Sequence, residues 1–223
     1  MRHLQRDMEL LHRAILSISA MVEEMIDKAS RALRERNAVL ADEVIEGDEE
    51  IDDREVQIEE DCLKMLALHQ PVAIDLRRIC TVLKINNDLE RMADLAANIA
   101  ERARNLVNHP EFHIPEVLDE MVDVTMKMVR GALDAFVNTD ANAARRIVLL
   151  DDVVDGFNRQ VIDNLQKQME TNSRLIEPAM HCFSASRHLE RIADHATNIA
   201  EDVIYLVEGE IARHHPEIVQ RPS

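Results

Sequence analysis

The chain has 223 residues, 46% of them apolar, but only four glycines, six prolines and 2% aromatics. So few helix breakers, with Leu, Ala, Met, Glu and Arg abundant, exclude sheet-rich folds and predict an all-α protein with an aliphatic core. The formal net charge of −17 repels nucleic-acid phosphates and anionic lipid, which excludes both as direct partners.

Periodicity predicts six helices. The first runs from Gln5 to Arg36. The second starts at Asn37 or Asp42 and ends near His69, where Gln70-Pro71 breaks the pattern. The third spans Ala73 to Asn108 and is closed by His109-Pro110. A linker, Glu111 to Pro115, then separates residues 1–110 from 111–223, the expected domain boundary. The fourth helix covers Glu116 to Val137. The fifth, capped by Thr139 or Asp140, reaches Glu170. The sixth, capped by Ser173, continues to Glu208, with Gly209 as its stop. Cys62, Cys80 and Cys182 lie in apolar helical stretches and read as reduced, buried thiols rather than a disulfide framework. The N-terminus is charged throughout, and no apolar run is long enough to span a bilayer, so a cytoplasmic protein is expected.

The two halves repeat. DLERMADLAANIAE (Asp88 to Glu101) matches HLERIADHATNIAE (His188 to Glu201) at ten of fourteen positions. Upstream, Met25, Ala29, Ala32, Ala41, Asp48 and Asp52 align with Met128, Ala132, Ala135, Ala144, Asp151 and Asp155. Each half is therefore one three-helix unit. Leu89, Met92, Ala96, Ile99, Ala103 and Leu106 form a coiled-coil-like seam on the third helix. Leu189, Ile192, Ala196, Ile199, Val203 and Leu206 repeat it on the sixth.

The chemistry lies on other faces of these helices. Each half carries two acid-x-x-x-Asp pairs: Asp48–Asp52 and Glu90–Asp94, then Asp151–Asp155 and Glu190–Asp194. Acids four apart stack on one helix face and repel. A repulsion repeated at equivalent places of a duplicated fold points to a cation, held at the surface between helices. All-oxygen donors suit hard ions such as iron, manganese, magnesium or calcium, with zinc as a further choice. Asn98 and Asn198, one turn beyond Asp94 and Asp194, extend the same stripes. The bland alternative is a solvated acidic face. Glu9-x-x-His12 has the spacing of di-iron carboxylate enzymes but lacks its required second copy. His195 reads as a packed histidine.

The two repeat motifs, with HQPVAIDLRRI (His69 to Ile79) before the first and SRHLERIADHATNIAEDVIYLVEG (Ser186 to Gly209) around the second, closely resemble the PhoU family of phosphate-signalling proteins. The resemblance covers essentially the whole chain. It implies two pseudo-symmetric three-helix bundles, with the four acid pairs holding one surface metal cluster per repeat, iron foremost. It also implies a regulatory role without catalysis. Such a protein would repress the phosphate regulon when phosphate is plentiful, through the ATPase of the phosphate transporter and a sensor histidine kinase, as a homodimer held near the inner membrane by its partners. Ala93 and Ala193 depart from the glycine usual before the motif's Asp. The competing reading from the residues is a carboxylate-bridged metal oxidase or a metal-storage protein.

Overall fold

The computed structural model describes residues 2–213 and 215–219. In chain order the helices are α1 (Arg2–Glu35), α2 (Ala38–His69), α3 (Ala73–Leu106), α4 (Val117–Asn138), α5 (Ala141–Val148), α6 (Asp151–Thr171), α7 (Ile176–Glu208) and α8 (Pro216–Val219). A 3-10 turn, Ser173–Leu175, leads into α7. Among the described residues there is no strand, and no helix is long and apolar enough to cross a membrane. Helices α1–α3 form one three-helix bundle and α4–α7 a second, so the expected all-α duplicated fold is the one observed.

Local chemistry sets the boundaries. The Asn37 side chain accepts the backbone N–H groups of Val39 and Leu40 at 3.1 and 3.2 Å, capping α2. At the equivalent place of the second repeat, Asp140 accepts from Asn142 and Ala143, both at 2.9 Å. Thr139 instead closes α4, in a left-handed conformation. The turn before α7 is held by Asn172, whose side chain accepts from Arg174, and not by Ser173 as expected. Gly209 ends α7 at φ 79°, and a Cβ there would also meet the Arg77 guanidinium at 2.6 Å.

One predicted helix is two. The counterpart of α2 breaks at Leu149–Leu150, where Leu150 N–H bonds to the Ile147 carbonyl (2.9 Å) in a tighter three-residue turn. No proline or glycine marks the break, so residue pattern alone runs through it. The break places Asp151 and Asp152 in the first turn of α6, where negative charge complements the exposed N–H groups and helix dipole.

The seams form the core. Leu89, Met92, Ala96, Ile99, Ala103 and Leu106 are fully buried, as are Leu189, Ile192, Ala196, Ile199 and Val203, with Leu206 nearly so. Helices α3 and α7 run antiparallel against one another: Arg77 reaches the Leu206 carbonyl (3.5 Å), and Lys84 donates to Asp202 (2.8 Å). Buried alanines (Ala93, Ala100, Ala193, Ala200) let these backbones approach closely. At the far end, buried Arg145 on α5 donates to both carboxylate oxygens of Glu208 at 2.7 Å and to the Ile218 carbonyl at 3.3 Å, tying the C-terminal segment to the second repeat.

Truncating this seam is expected to be expensive. Ile199→Ala should lower unfolding stability by about 2–5 kcal/mol in chemical denaturation. Ile211→Ala, at a mostly exposed position, should stay within roughly 0.5 kcal/mol of the parent.

Candidate metal centre

The eight acids are sorted four and four. Asp48 and Asp52 lie one turn apart on α2, and Glu90 and Asp94 one turn apart on α3. Asp48 is half-buried because it borders the Val44–Ile51–Ile58 stripe that faces the core, whereas Asp52 is exposed. Burial lifts the Asp48 carboxyl from the usual 3.8 to about 6, helped by the charges of Asp94 and Asp52. Glu90 is raised by burial and then by Asp94, with Asp52 and Glu55 adding to it and Arg91 opposing. Asp48 also has a buried oxygen, Oδ1, with no hydrogen-bond partner among the described residues.

The second group is built from α6 and α7. Burial lifts the Asp194 carboxyl from 3.8 to about 6, and Glu190, Asp151 and Asp155 reinforce the shift. Asp194 is exposed as a residue, while three like charges crowd its carboxyl. Asp151 is raised by burial, and a hydrogen bond from the Thr197 hydroxyl (3.2 Å) opposes the shift. Glu190 is held by Arg187 at 2.8 Å.

The donors fit a hard cation. A buried carboxylate oxygen without a donor is costly, and a positive ion among four acids removes that cost and the mutual repulsion together. As the side chains stand, no group of three or more acid, imidazole or thiol side chains among the described residues converges into a coordination sphere. Repulsion between like charges favours such splayed rotamers.

The other expectations separate. Asn98 turns its amide back to the Asp94 carbonyl (2.7 Å), which leaves it beside the first group. Asn198 donates to Asp88 (3.3 Å) across the repeat interface. His195 makes a specific contact there: its Nδ1–H donates to the same buried Asp88 oxygen at 2.7 Å. Glu9 and His12 line a separate cavity between the repeats. Thr197, Arg187 and Arg213 were not anticipated. The first two replace Ala97 and Asn87 of the first repeat, a difference visible in the repeat alignment. Arg213 comes from the unrepeated C-terminal segment; it approaches Glu201 (3.6 Å) and Asp202 (3.7 Å). With Asp194, Thr197, Asn198 and Glu201 it lines a cleft of about 390 Å³.

A carboxyl whose folded value is raised destabilises the folded state once ionised. For Asp48 this penalty is absent below the usual 3.8, grows as pH rises, and is complete above about 6. Asp48→Asn should therefore stabilise the metal-free protein by roughly 1 kcal/mol at pH 7.5, after allowance for solvent screening. The gain should shrink towards zero by about pH 4, as read from denaturant midpoints at both pH values.

With the geometry in place, comparison with known proteins is informative. The chain matches the PhoU domain twice, over residues 15–103 and 118–203. It is 42% identical over 209 residues to the phosphate-specific transport system accessory protein PhoU homolog of Aquifex aeolicus, covering 94% of this chain and 95% of that one. The corresponding protein of Pseudomonas aeruginosa is 37% identical over 211 residues, covering 93% and 86%. The crystal structure of PhoU from P. aeruginosa superposes with a TM-score of 0.88 at 36% identity, covering 92% of this chain and 99% of that one. That of the phosphate transport system regulatory protein PhoU from Streptococcus pneumoniae gives 0.87 at 28% identity, covering 93% and 98%. Two matched domains and near full-length relatives place this chain in the PhoU family.

Proposed function

We propose that this chain is a regulatory accessory of a phosphate-specific transport system, acting by binding rather than by catalysis. The observation that supports this most is that relatives bearing that name match the chain over almost its whole length, both repeats included. The acid groups add the chemistry. Asp48, Asp52, Glu90 and Asp94 would hold one cation or cluster, and Asp151, Asp155, Glu190 and Asp194 another. Iron is the first choice, with zinc, manganese or magnesium as alternatives. When bound, such an ion supplies positive charge at an otherwise strongly acidic surface, where anionic groups of a partner are then attracted and not repelled. The protein would dock, as a cytoplasmic homodimer, on the transporter's ATPase and on a phosphate sensor histidine kinase, and repress phosphate-starvation genes when phosphate is plentiful.

Deleting the encoding gene and following a phosphate-starvation reporter tests this reading. In phosphate-rich medium the deletion should switch the reporter on, and re-expression should silence it. The Glu90→Gln/Asp94→Asn/Glu190→Gln/Asp194→Asn protein should accumulate normally but fail to silence. A reporter that stays silent in the deletion strain contradicts the regulatory role. Full silencing by the fourfold variant contradicts a role for the clusters in it.

A further inference from the structure

A cavity of about 540 Å³ opens between the repeats, where α1, the start of α3, the end of α4 and the end of α7 meet. Its volume is that of a site able to hold a substantial apolar group. Met8, Leu11, Val82, Phe136 and Leu206 supply the apolar lining, and the exposed side chains of Arg13, Arg78 and Glu9 stand around its opening.

The duplicated fold contains the corresponding place a second time, and there the linker lies against it. Val82, Leu206 and Thr139 of the cavity correspond to Cys182, Leu106 and Arg36 in the repeat. The linker between the bundles folds against Leu106 and Arg36. His109 N–H bonds to the Leu106 carbonyl (3.1 Å), and the Arg36 guanidinium donates to the carbonyls of Pro110 (3.0 Å) and Phe112. The same Arg36 charge acts on the Cys182 thiol. The Phe112 side chain is 1% exposed. On the cavity side the corresponding stretch is the start of α1, a continuous helix, and Glu9 aligns with Phe112 at the offset of the repeat. On one side of the molecule the linker thus buries an aromatic residue beside the counterparts of the cavity, and on the other side the space stays open.

We infer that the open cavity is a docking pocket for a partner protein that inserts an aromatic side chain next to an acidic residue, in the manner of Glu111–Phe112 of the linker at the corresponding place. A single buried aromatic anchor is a common centre of protein–protein recognition. The charge at the opening selects for the acid. Arg78 stands where the corresponding place has Pro178, and two guanidiniums face one carboxylate, Glu9, on a chain of net charge −17. Neither Arg13 nor Arg78 is engaged in an ion pair among the described residues.

The probe is a fluorescein-labelled peptide with the sequence of residues 108–116, NHPEFHIPE, titrated with the full-length protein and followed by anisotropy. Saturable binding is expected, with Kd on the order of 10 µM. Phe112→Ala in the peptide should weaken it about tenfold or more. Val137→Trp in the protein should do the same, because Val137 lines the cavity yet is 42% exposed, so a larger ring enters the opening without disturbing the core. Arg78→Glu, on the exposed rim, should weaken binding several-fold and flatten its salt dependence. Lack of saturable binding, or binding indifferent to both protein variants, overturns the inference. So does a homodimer that Val137→Trp dissociates in sedimentation, which would assign the cavity to a second copy of the chain.

Discussion

The contact of α3 with α7 is the constraint around which the rest of the molecule is arranged. Each of these helices also packs on the other helices of its own repeat, so nearly every face is enclosed. Alanines at the closest approaches leave little space for charge except in the grooves beside α2 and α6, and the acid pairs lie in those grooves. The contact itself is not purely apolar. Asp88 and Asp202 are buried in it, one held by His195 and Asn198 and the other by Lys84. Buried ion pairs add little net stability, but losing one partner leaves an uncompensated charge. These crossed pairs therefore penalise any other register of one repeat on the other.

That rigid arrangement makes the acid groups informative. The acids of each group share a groove, and the raised Asp48 and Asp194 carboxyls reflect partial burial first and crowding by like charges second. The two groups are not equivalent. Arg187 and Thr197 already satisfy part of the second, with Arg213 at its edge. The first retains a buried oxygen on Asp48 with no hydrogen-bond partner among the described residues. The first repeat therefore has the greater electrostatic need for a cation, although the motifs read alike.

The sequence carried most of the architecture because it is written twice. Matching seams gave the third helix of each bundle, and of the two starts open for each of two helices, Asn37 or Asp42 and Thr139 or Asp140, the caps are the equivalent Asn37 and Asp140. The pairing of α2 with α3 acids was legible for the same reason. The Leu149–Leu150 break was not, since a tight turn between two leucines leaves no compositional mark. Asp88 with His195 was missed because an antiparallel crossing joins residues with no fixed sequence spacing, and the equivalent pair, His188 with Leu95, has lost the chemistry. Arg213 lies beyond the repeat, where no alignment between halves reaches it.

A regulatory role for the acid groups requires that they be cation sites and not merely an acidic surface. The most direct test is metal content by mass spectrometry after purification without chelator, comparing the wild type with Asp48→Asn/Asp94→Asn. Metal is expected in both repeats of the wild type, with the first repeat's share lost in the variant and the second repeat's share kept. A wild-type protein that stays metal-free after incubation with iron, manganese and zinc, or a variant with undiminished content, would contradict that role.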